Sequence, residues 1–452
     1  VSIHAGSSDD NFDSLANKTV SVTTSDNDTA GFLVTESGGG TSVSENATTD
    51  TFTVKLIGQP INNVVLSVTS ADTEEVTVSP ATLTFTNANW STNQTVTVTG
   101  VNDTIADSSQ TTLITLSVVD ANSDDKFDAV ADQTVTVTTT DNDTAGFTLS
   151  KTTSTIAEPS GTDTFTVVLH TMNAVSFTIT SADTGEVTVN PPTLSFTTSD
   201  WNVAQTVILT AADDDIIDGS QTTAVTVSIT DNVSDDTYDN VADQTLTVTT
   251  TDNDSAGFTK SKSTITVTEA ASTDTFTLVL NAQPNSNVVL SITSANTGEA
   301  TVSPATVTFT NANWDTTQTV TVTGVNDFLI DGSINTTVTI AVVDGSSDNN
   351  FDNVANQTIT VTTTDNDTAG FTLSSTAVTV AETATTATFT VVLDKEPIGN
   401  VVLSVTSGET DKVTVSPSPL TFTTGNWNSS QTVTLTGVQD DTIDADRTVT
   451  IT

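Results

Sequence analysis

The string TDNDTAGF occupies residues 140–147 and 364–371, and near copies occupy residues 25–32 and 251–258. A chain that spells one junction four times is a tandem array, so the fold to be found is that of a single repeat. Asp26, Asp141, Asp252 and Asp365 open the copies at intervals of 115, 111 and 113 residues, and Trp90, Trp201, Trp314 and Trp427 follow at 111, 113 and 113. A period of about 113 residues is one small domain. The length differences fall in the glycine run at 38–40 and near residues 170–174, as expected of loops rather than packed strands.

The junctions place complete repeats at 29–143, 144–254 and 255–367. Residues 368–452 supply the first 85 positions of a further repeat and residues 1–28 supply its last 28. Joined in that order, residues 448–452 and 1–13 read TVTITVSIHAGSSDDNFD, which matches residues 111–128, TTLITLSVVDANSDDKFD, without a gap. The expectation is a window on a longer array, in which 368–452 is completed by residues 1–28 of an adjacent copy. The alternative is a set of subunits polymerised by donor-strand complementation.

Within a repeat the hydrophobic period is two. Segments such as TVTVTTT at 134–140 and QTVTVT at 94–99 alternate an apolar residue with threonine, the pattern of a half-buried antiparallel strand. Threonine on the wet face supplies β propensity without an apolar patch. In the repeat 31–143 the expected strands are A at 32–45, B at 51–56, C at 64–69, D at 82–86, E at 94–99, F at 111–119 and G at 133–139. Seven short strands in such a length define an all-β fold, a tandem array of immunoglobulin-like β-sandwiches joined head to tail.

That topology sorts the acidic residues. Successive loops of an antiparallel sandwich alternate between its two ends, so the A–B, C–D and E–F loops share one pole with the exit of strand G. In the first complete repeat this pole collects Glu45, Asp72, Asn102, Asp103, Asp107, Asp141 and Asp143. The next collects Glu158, Asp183, Asp213, Asp214, Asp218, Asp252 and Asp254, and the third Glu269, Asn326, Asp327, Asp331, Asp365 and Asp367, with Asn296 at the C–D position. The split repeat offers Glu382, Glu409, Asp440, Asp444, Asp26 and Asp28. Two bare carboxylates about 4 Å apart repel by roughly 4 kcal/mol at an effective dielectric near 20, so the groups either spread into solvent or share a cation. Oxygen-only ligands without His or Cys favour a hard ion, and Ca2+ accepts six to eight oxygens in irregular geometry.

The F–G loop brings a second acidic set to the opposite pole: Asp124, Asp125 and Asp128, then Asp235, Asp236 and Asp239, then Asp348 and Asp352, with Asp9, Asp10 and Asp13 in the split repeat. Two readings stand for it, a cation bridge to the preceding repeat or solvated turns whose aromatic (Phe127, Tyr238, Phe351 or Phe12) plugs the sandwich. The four tryptophans at the D–E turn are read as caps on the core rather than sugar-stacking platforms. Asn-x-Ser/Thr triplets are numerous in a chain this rich in both residues and leave glycosylation open.

The charge balance sets the partners aside. Nine Lys and Arg against 56 Asp and Glu give a net charge of −47, which argues against nucleic acid or an anionic membrane. No stretch approaches the roughly 20 apolar residues of a membrane span. There are no cysteines, so neither disulfides nor thiolates hold the fold. The two histidines, His4 and His170, sit at unrelated repeat positions, so no catalytic triad recurs and no enzyme is expected.

The motifs PATLTFTNANW with QTVTVTGVND, and the closing VTTTDND, resemble the Calx-β-like repeats of large bacterial surface proteins, and the resemblance covers every repeat. It implies an immunoglobulin-like sandwich with Ca2+ at the pole of Glu45, Asp103, Asp107, Asp141, Asp143 and their counterparts. The junction is also similar to the Asp-Asn-rich linkers of cadherins, which clamp Ca2+ between domains. The function expected is a structural extracellular or cell-surface filament or stalk of calcium-rigidified sandwiches, with adjacent copies of the chain as partners. The alternative is a ligand-binding adhesin, lectin-like or engaging a surface glycan or cell-surface partner.

Overall fold

The computed structural model describes residues 1–443 and 445–452. The chain divides into two compact units, one of Val1–Ile156, Thr162–Thr210 and Thr222–Thr249, the other of Ala157–Gly161, Ala211–Gln221 and Thr250–Thr452. The first unit holds the first complete repeat and the body of the second. The other holds the polar end of the second repeat, the third repeat and residues 368–452.

In the complete repeats the alternation of valine and threonine produces the expected strands. In the first complete repeat they are β1 (Phe32–Glu36), β2 (Thr41–Ser44), β3 (Thr49–Leu56), β4 (Val64–Ser70), β5 (Val76–Ser79), β6 (Thr82–Phe85), β7 (Gln94–Gly100), β8 (Gln110–Val118) and β9 (Gln133–Thr140). One sheet runs β1-β3-β7-β5 and the other β2-β9-β8-β4-β6. Strand A of the sequence reading is thus two strands. The glycines at 38–40, two of them with positive φ, let the chain cross from β1 on one sheet to β2 on the other. There β2 lies parallel to β9, with Val43 opposite Thr139. A ninth strand, β5, was not expected; it pairs with β7 and leaves β6 on β4. The second and third repeats repeat both sheets.

Each sandwich buries one residue in two. Phe52, Val54, Leu66, Phe85, Val96, Val98, Leu116 and Val137 close one core, joined by Phe127 from the F–G loop. Trp90 packs against this core from the D–E turn, and its carbonyl accepts the Leu56 N–H at 2.9 Å. The turn itself is fixed by Asn89, whose Oδ1 accepts the Thr86 N–H at 2.5 Å; Asp200, Asn313 and Asn426 do the same for Thr197, Thr310 and Thr423. The tryptophan therefore caps the core, as expected.

Residues 368–452 keep the first sheet, from Phe371–Leu373, Thr386–Leu393, Gln431–Gly437 and Val413–Ser416. The second sheet has Val401–Leu403 paired with Leu420–Phe422, and a bridge from Ser407 to Ile451 in the register that Ser70 and Ile114 hold in the first repeat. With less to cover it, Phe371 is 53% exposed, where Phe32, Phe147 and Phe258 are at most 3% exposed. Residues 1–28 form two short 3-10 turns, Ala5–Ser7 and Asp10–Phe12, and no strand.

Candidate metal centres

The end of β9 delivers the acids of the first pole. Asp141 spends one oxygen on its own turn, accepting the Asp143 N–H at 2.6 Å, and the other on the N–H groups of Asp107 and Ser108 at 3.0 and 2.8 Å. Ser108 takes the left-handed conformation to point its N–H there, and glycines occupy its place as Gly219 and Gly332, whose N–H groups reach Asp252 and Asp365. Asp103 likewise folds its loop by accepting the Ile105 N–H at 2.7 Å. Glu45, buried just past β2, accepts the Asn142 N–H at 3.4 Å. Asp103 and Glu45 are thus each aimed by one backbone bond, whereas Asp141 spends both oxygens on backbone N–H groups.

The pole acids converge. Carboxylate oxygens of Glu45, Asp103 and Asp143 lie within 4.8 Å of one another, as do those of Glu45, Glu75 and Asp107. The second pole repeats the first set with Glu158, Asp252 and Asp254, and the third with Glu269, Asp327 and Asp367. Buried oxygens without a hydrogen-bond partner remain on Glu75, Asp107, Asp143, Asp254, Glu299 and Asp331. Burial, opposed by the Asn142 N–H and reinforced by Asp103, Asp141 and Glu75, pushes the Glu45 carboxyl up to about 7. Burial first, then repulsion among the acids, also raises Glu75, Asp107, Asp143, Asp254, Glu269 and Glu299 above the usual carboxylate range. Orphaned, hard, anionic oxygens at this density fit a divalent oxygen-loving ion such as Ca2+.

Glu75 is the residue the sequence reading passed over. It immediately precedes β5, is 9% exposed, and recurs as Glu186 and Glu299. Asp72, Asp183 and Asn296 at the expected C–D position are exposed and cap their own turns, accepting the N–H of Glu74, Gly185 and Gly298. Asp72 nevertheless lines, with Glu75, Asp107 and Gln110, a cavity of about 390 Å3 that opens beside the first pole. Asp214, Asp218, Asp331 and Asp365 stand where the repeat places them, with Asp214 accepting the Ile216 N–H at 2.8 Å.

The pole of residues 368–452 differs. Lys412 stands at the Glu75 position, and its ammonium pairs with Asp440 and lies 3.9 Å from Glu382. Glu409 faces Arg447 at 3.8 Å. Asp444 lies outside the described residues, and Asp26 and Asp28 are exposed.

The acids of the F–G loops resolve toward turns. Asp124, 4% exposed, accepts the N–H groups of Ile61, Asn62 and Lys126, and these bonds, that of Asn62 foremost, hold its carboxyl below the usual range. Asp348 likewise accepts the N–H groups of Ser286 and Asn350. Phe127, Tyr238 and Phe351 are buried plugs.

Successive repeats meet through one recurring main-chain bond. The carbonyls of Thr104, Asp215 and Phe328 in the E–F loops accept the N–H groups of Met172, Gln283 and Glu396 in the next B–C loops, at 2.7, 2.6 and 2.8 Å. The F–G loop, expected to abut the pole, adds Asn350, which donates to the Ile217 carbonyl at 2.8 Å. The joints therefore begin on the same E–F loops that carry the pole acids.

No family model and no curated protein matches the chain. Solved structures to which it is similar include CBD12 from CALX1.2, at 16% identity over 43% of this chain and 79% of that one, TM-score 0.21. The extracellular cadherin domains 1–4 of protocadherin gamma B7 are similar at 11% identity over 83% of each chain, TM-score 0.31. Domains 4–9 of the surface layer protein SbsC follow at 18% identity over 83% of this chain and 56% of that one, TM-score 0.20.

Among the described residues, no helix is long and apolar enough to cross a membrane.

Proposed function

We propose that the chain is a structural segment of an extracellular or cell-surface filament or stalk, whose sandwiches are stiffened by Ca2+ bound at their poles. The observation that carries this reading is the return, at three poles, of convergent carboxylates, with buried oxygens lacking a hydrogen-bond partner on Glu75, Asp107, Asp143, Asp254, Glu299 and Asp331 among them. Glu45, Glu75, Asp103, Asp107 and Asp143 would hold the ion at the first pole, their counterparts at the second, and Glu269, Glu299, Asp327 and Asp331 at the third, where Asp367 pairs with Lys395. Bound there, Ca2+ supplies positive charge that cancels the mutual repulsion and ties the A–B and E–F loops to the linker after β9. The pole and the next repeat share the E–F loop, so ordering one orders the joint.

The reading extends to adjacent copies, with residues 1–28 of one completing residues 368–452 of the next. Val20 and Val22 are 74% and 80% exposed, whereas Val135 and Val137 at the same repeat positions are 1% and 0% exposed. A peptide of residues 1–28 is expected to bind the full chain and protect Phe371 from solvent; no binding at millimolar peptide removes this extension.

The test of the calcium reading is thermal unfolding and solution scattering of the full chain in millimolar Ca2+ and in chelator, because extracellular sites often bind only at about 10⁻⁴ to 10⁻³ M. An ion at 100 times its dissociation constant adds about 2.7 kcal/mol per site. Superimposable melting curves and scattering profiles in the two conditions overturn the proposal.

A further inference from the structure

The joint between the third repeat and residues 368–452 is built differently from the joint between the first and second. At the linker after each complete repeat stands the last acid of the junction motif: Asp143, Asp254 and Asp367. Asp143 and Asp254 each keep a buried oxygen without a hydrogen-bond partner. Asp367, with its side chain 1% exposed, also keeps buried oxygens without a hydrogen-bond partner but is, unlike the other two, in ion-pair contact with the ammonium of Lys395. Lys395 comes from the B–C loop of the following repeat, where the aligned positions are Ala282 and Thr171. The lysine at this place in the loop reaches the preceding pole.

A second departure meets it. The E–F loop residue whose carbonyl makes the main-chain bond of the joint is Thr104 or Asp215 in the earlier repeats and Phe328 in the third. The Lys395 ammonium lies 4.8 Å from the centre of the Phe328 ring. That ring in turn stands 6.2 Å from Trp427, centroid to centroid. An ammonium held between a carboxylate and an aromatic face is attracted by both. The main-chain contact is also longer here: Leu329–Ile330 pairs in parallel with Glu396–Pro397. Lysine and phenylalanine are on different repeats and are both absent from the equivalent places of the first joint.

We infer that Lys395 is the resident cation of this joint, taking at Asp367 the place that a divalent ion takes at Asp143, so that the joint stays closed without metal. The contrast between joints rests on the calcium reading above; the role of Lys395 does not. The array then has joints of two kinds, those that stiffen with Ca2+ and one that is stiff at any Ca2+ concentration.

Spin labels on paired cysteines in the otherwise cysteine-free full chain separate the cases. Thr319→Cys with Thr432→Cys reports this joint, and Thr95→Cys with Thr206→Cys reports the first. In chelator the Thr319–Thr432 pair is expected to give a narrow distance distribution that millimolar Ca2+ leaves unchanged, while the Thr95–Thr206 pair is broad until Ca2+ is added. Lys395→Met is expected to abolish the narrow component in chelator, and Lys395→Arg to keep it. An unchanged distribution in Lys395→Met overturns the inference, whatever Ca2+ does at the first joint. A first joint indifferent to Ca2+, with Lys395→Met still broadening its own joint, overturns the calcium reading and leaves this one standing.

Discussion

Asn173 grips Ala106 by both ends of its amide, accepting the Ala106 N–H at 3.1 Å and donating to the Ala106 carbonyl at 3.0 Å. The two residues belong to successive repeats, and both are buried, at 2% and 3% exposure. A side-chain amide here substitutes for a neighbouring strand, satisfying the donor and the acceptor of one peptide group together. In the next joint Asn285 makes half of this contact, donating to the Ile217 carbonyl at 3.0 Å.

Truncating Asn173 therefore strands two buried backbone groups at once. Asn173→Ala is expected to destabilise by about 1–3 kcal/mol, the cost of leaving a buried polar group unsatisfied. Asn285→Ala removes a single bond at a more exposed site and is expected to cost less. Thermal unfolding of the two variants checks the order; equal shifts contradict the account of the first joint.

Much of this was open to reading from the sequence, and what was hidden has physical causes. The valine–threonine alternation marks strands because the period is local, and the acids of the junction motif announce themselves by recurrence. The strand Val76–Ser79 is only four residues long and runs into Pro80, so it resembles a loop. The parallel pairing of Val43 with Thr139 spans almost the whole repeat and leaves no local trace. Asp72 and Glu75 are three residues apart, and a turn-capping acid looks like a ligand until burial separates them. One signal was present and unused: the positions of Glu75, Glu186, Glu299 and Lys412 align, and the change of sign at the last marks the pole that carries its own ammonium.

The pH dependence of the metal-free chain follows from Glu45. Its carboxyl is raised from 4.5 to about 7 by burial, so between those values the folded chain holds a proton that the unfolded chain has released. Stability in chelator is then expected to fall as pH rises from 4.5 to 7, and to level off above. Asp124, held low by backbone N–H groups, acts in the opposite sense, and its contribution is lost only as pH falls below the ordinary aspartate range. Millimolar Ca2+ is expected to cancel the loss toward neutral pH, because the ion favours the charged form. Melting temperatures across pH 4 to 8 that rise steadily in chelator count against a charged, crowded pole.

Glu45→Gln separates repulsion from ligation at that pole. The amide removes a buried charge, so in chelator at neutral pH the variant is expected to melt above the parent chain. It also removes a ligand shared by both oxygen groups of the first pole. Its gain in melting temperature on adding Ca2+ is therefore expected to be smaller than the parent's. A variant that melts lower in chelator and gains as much from Ca2+ would assign Glu45 a packing role.

The two acidic ends of a sandwich are expected to answer differently to alanine. Asp143 follows β9 at the head of the linker, with one oxygen buried and unpartnered beside Asp103 and Glu45. Asp128 is exposed in the F–G loop, where Asp124 does the structural bonding. Asp143→Ala should lower the gain in stability from Ca2+ and broaden the Thr95–Thr206 label distribution in its presence. Asp128→Ala should do neither, since surface changes away from such features usually stay within about 0.5 kcal/mol. Asp124→Ala should lower the melting temperature equally with and without Ca2+, because its role is to hold the N–H groups of Ile61, Asn62 and Lys126. If Asp128→Ala broadens the joint as much as Asp143→Ala does, the cation pole has been placed at the wrong end of the sandwich.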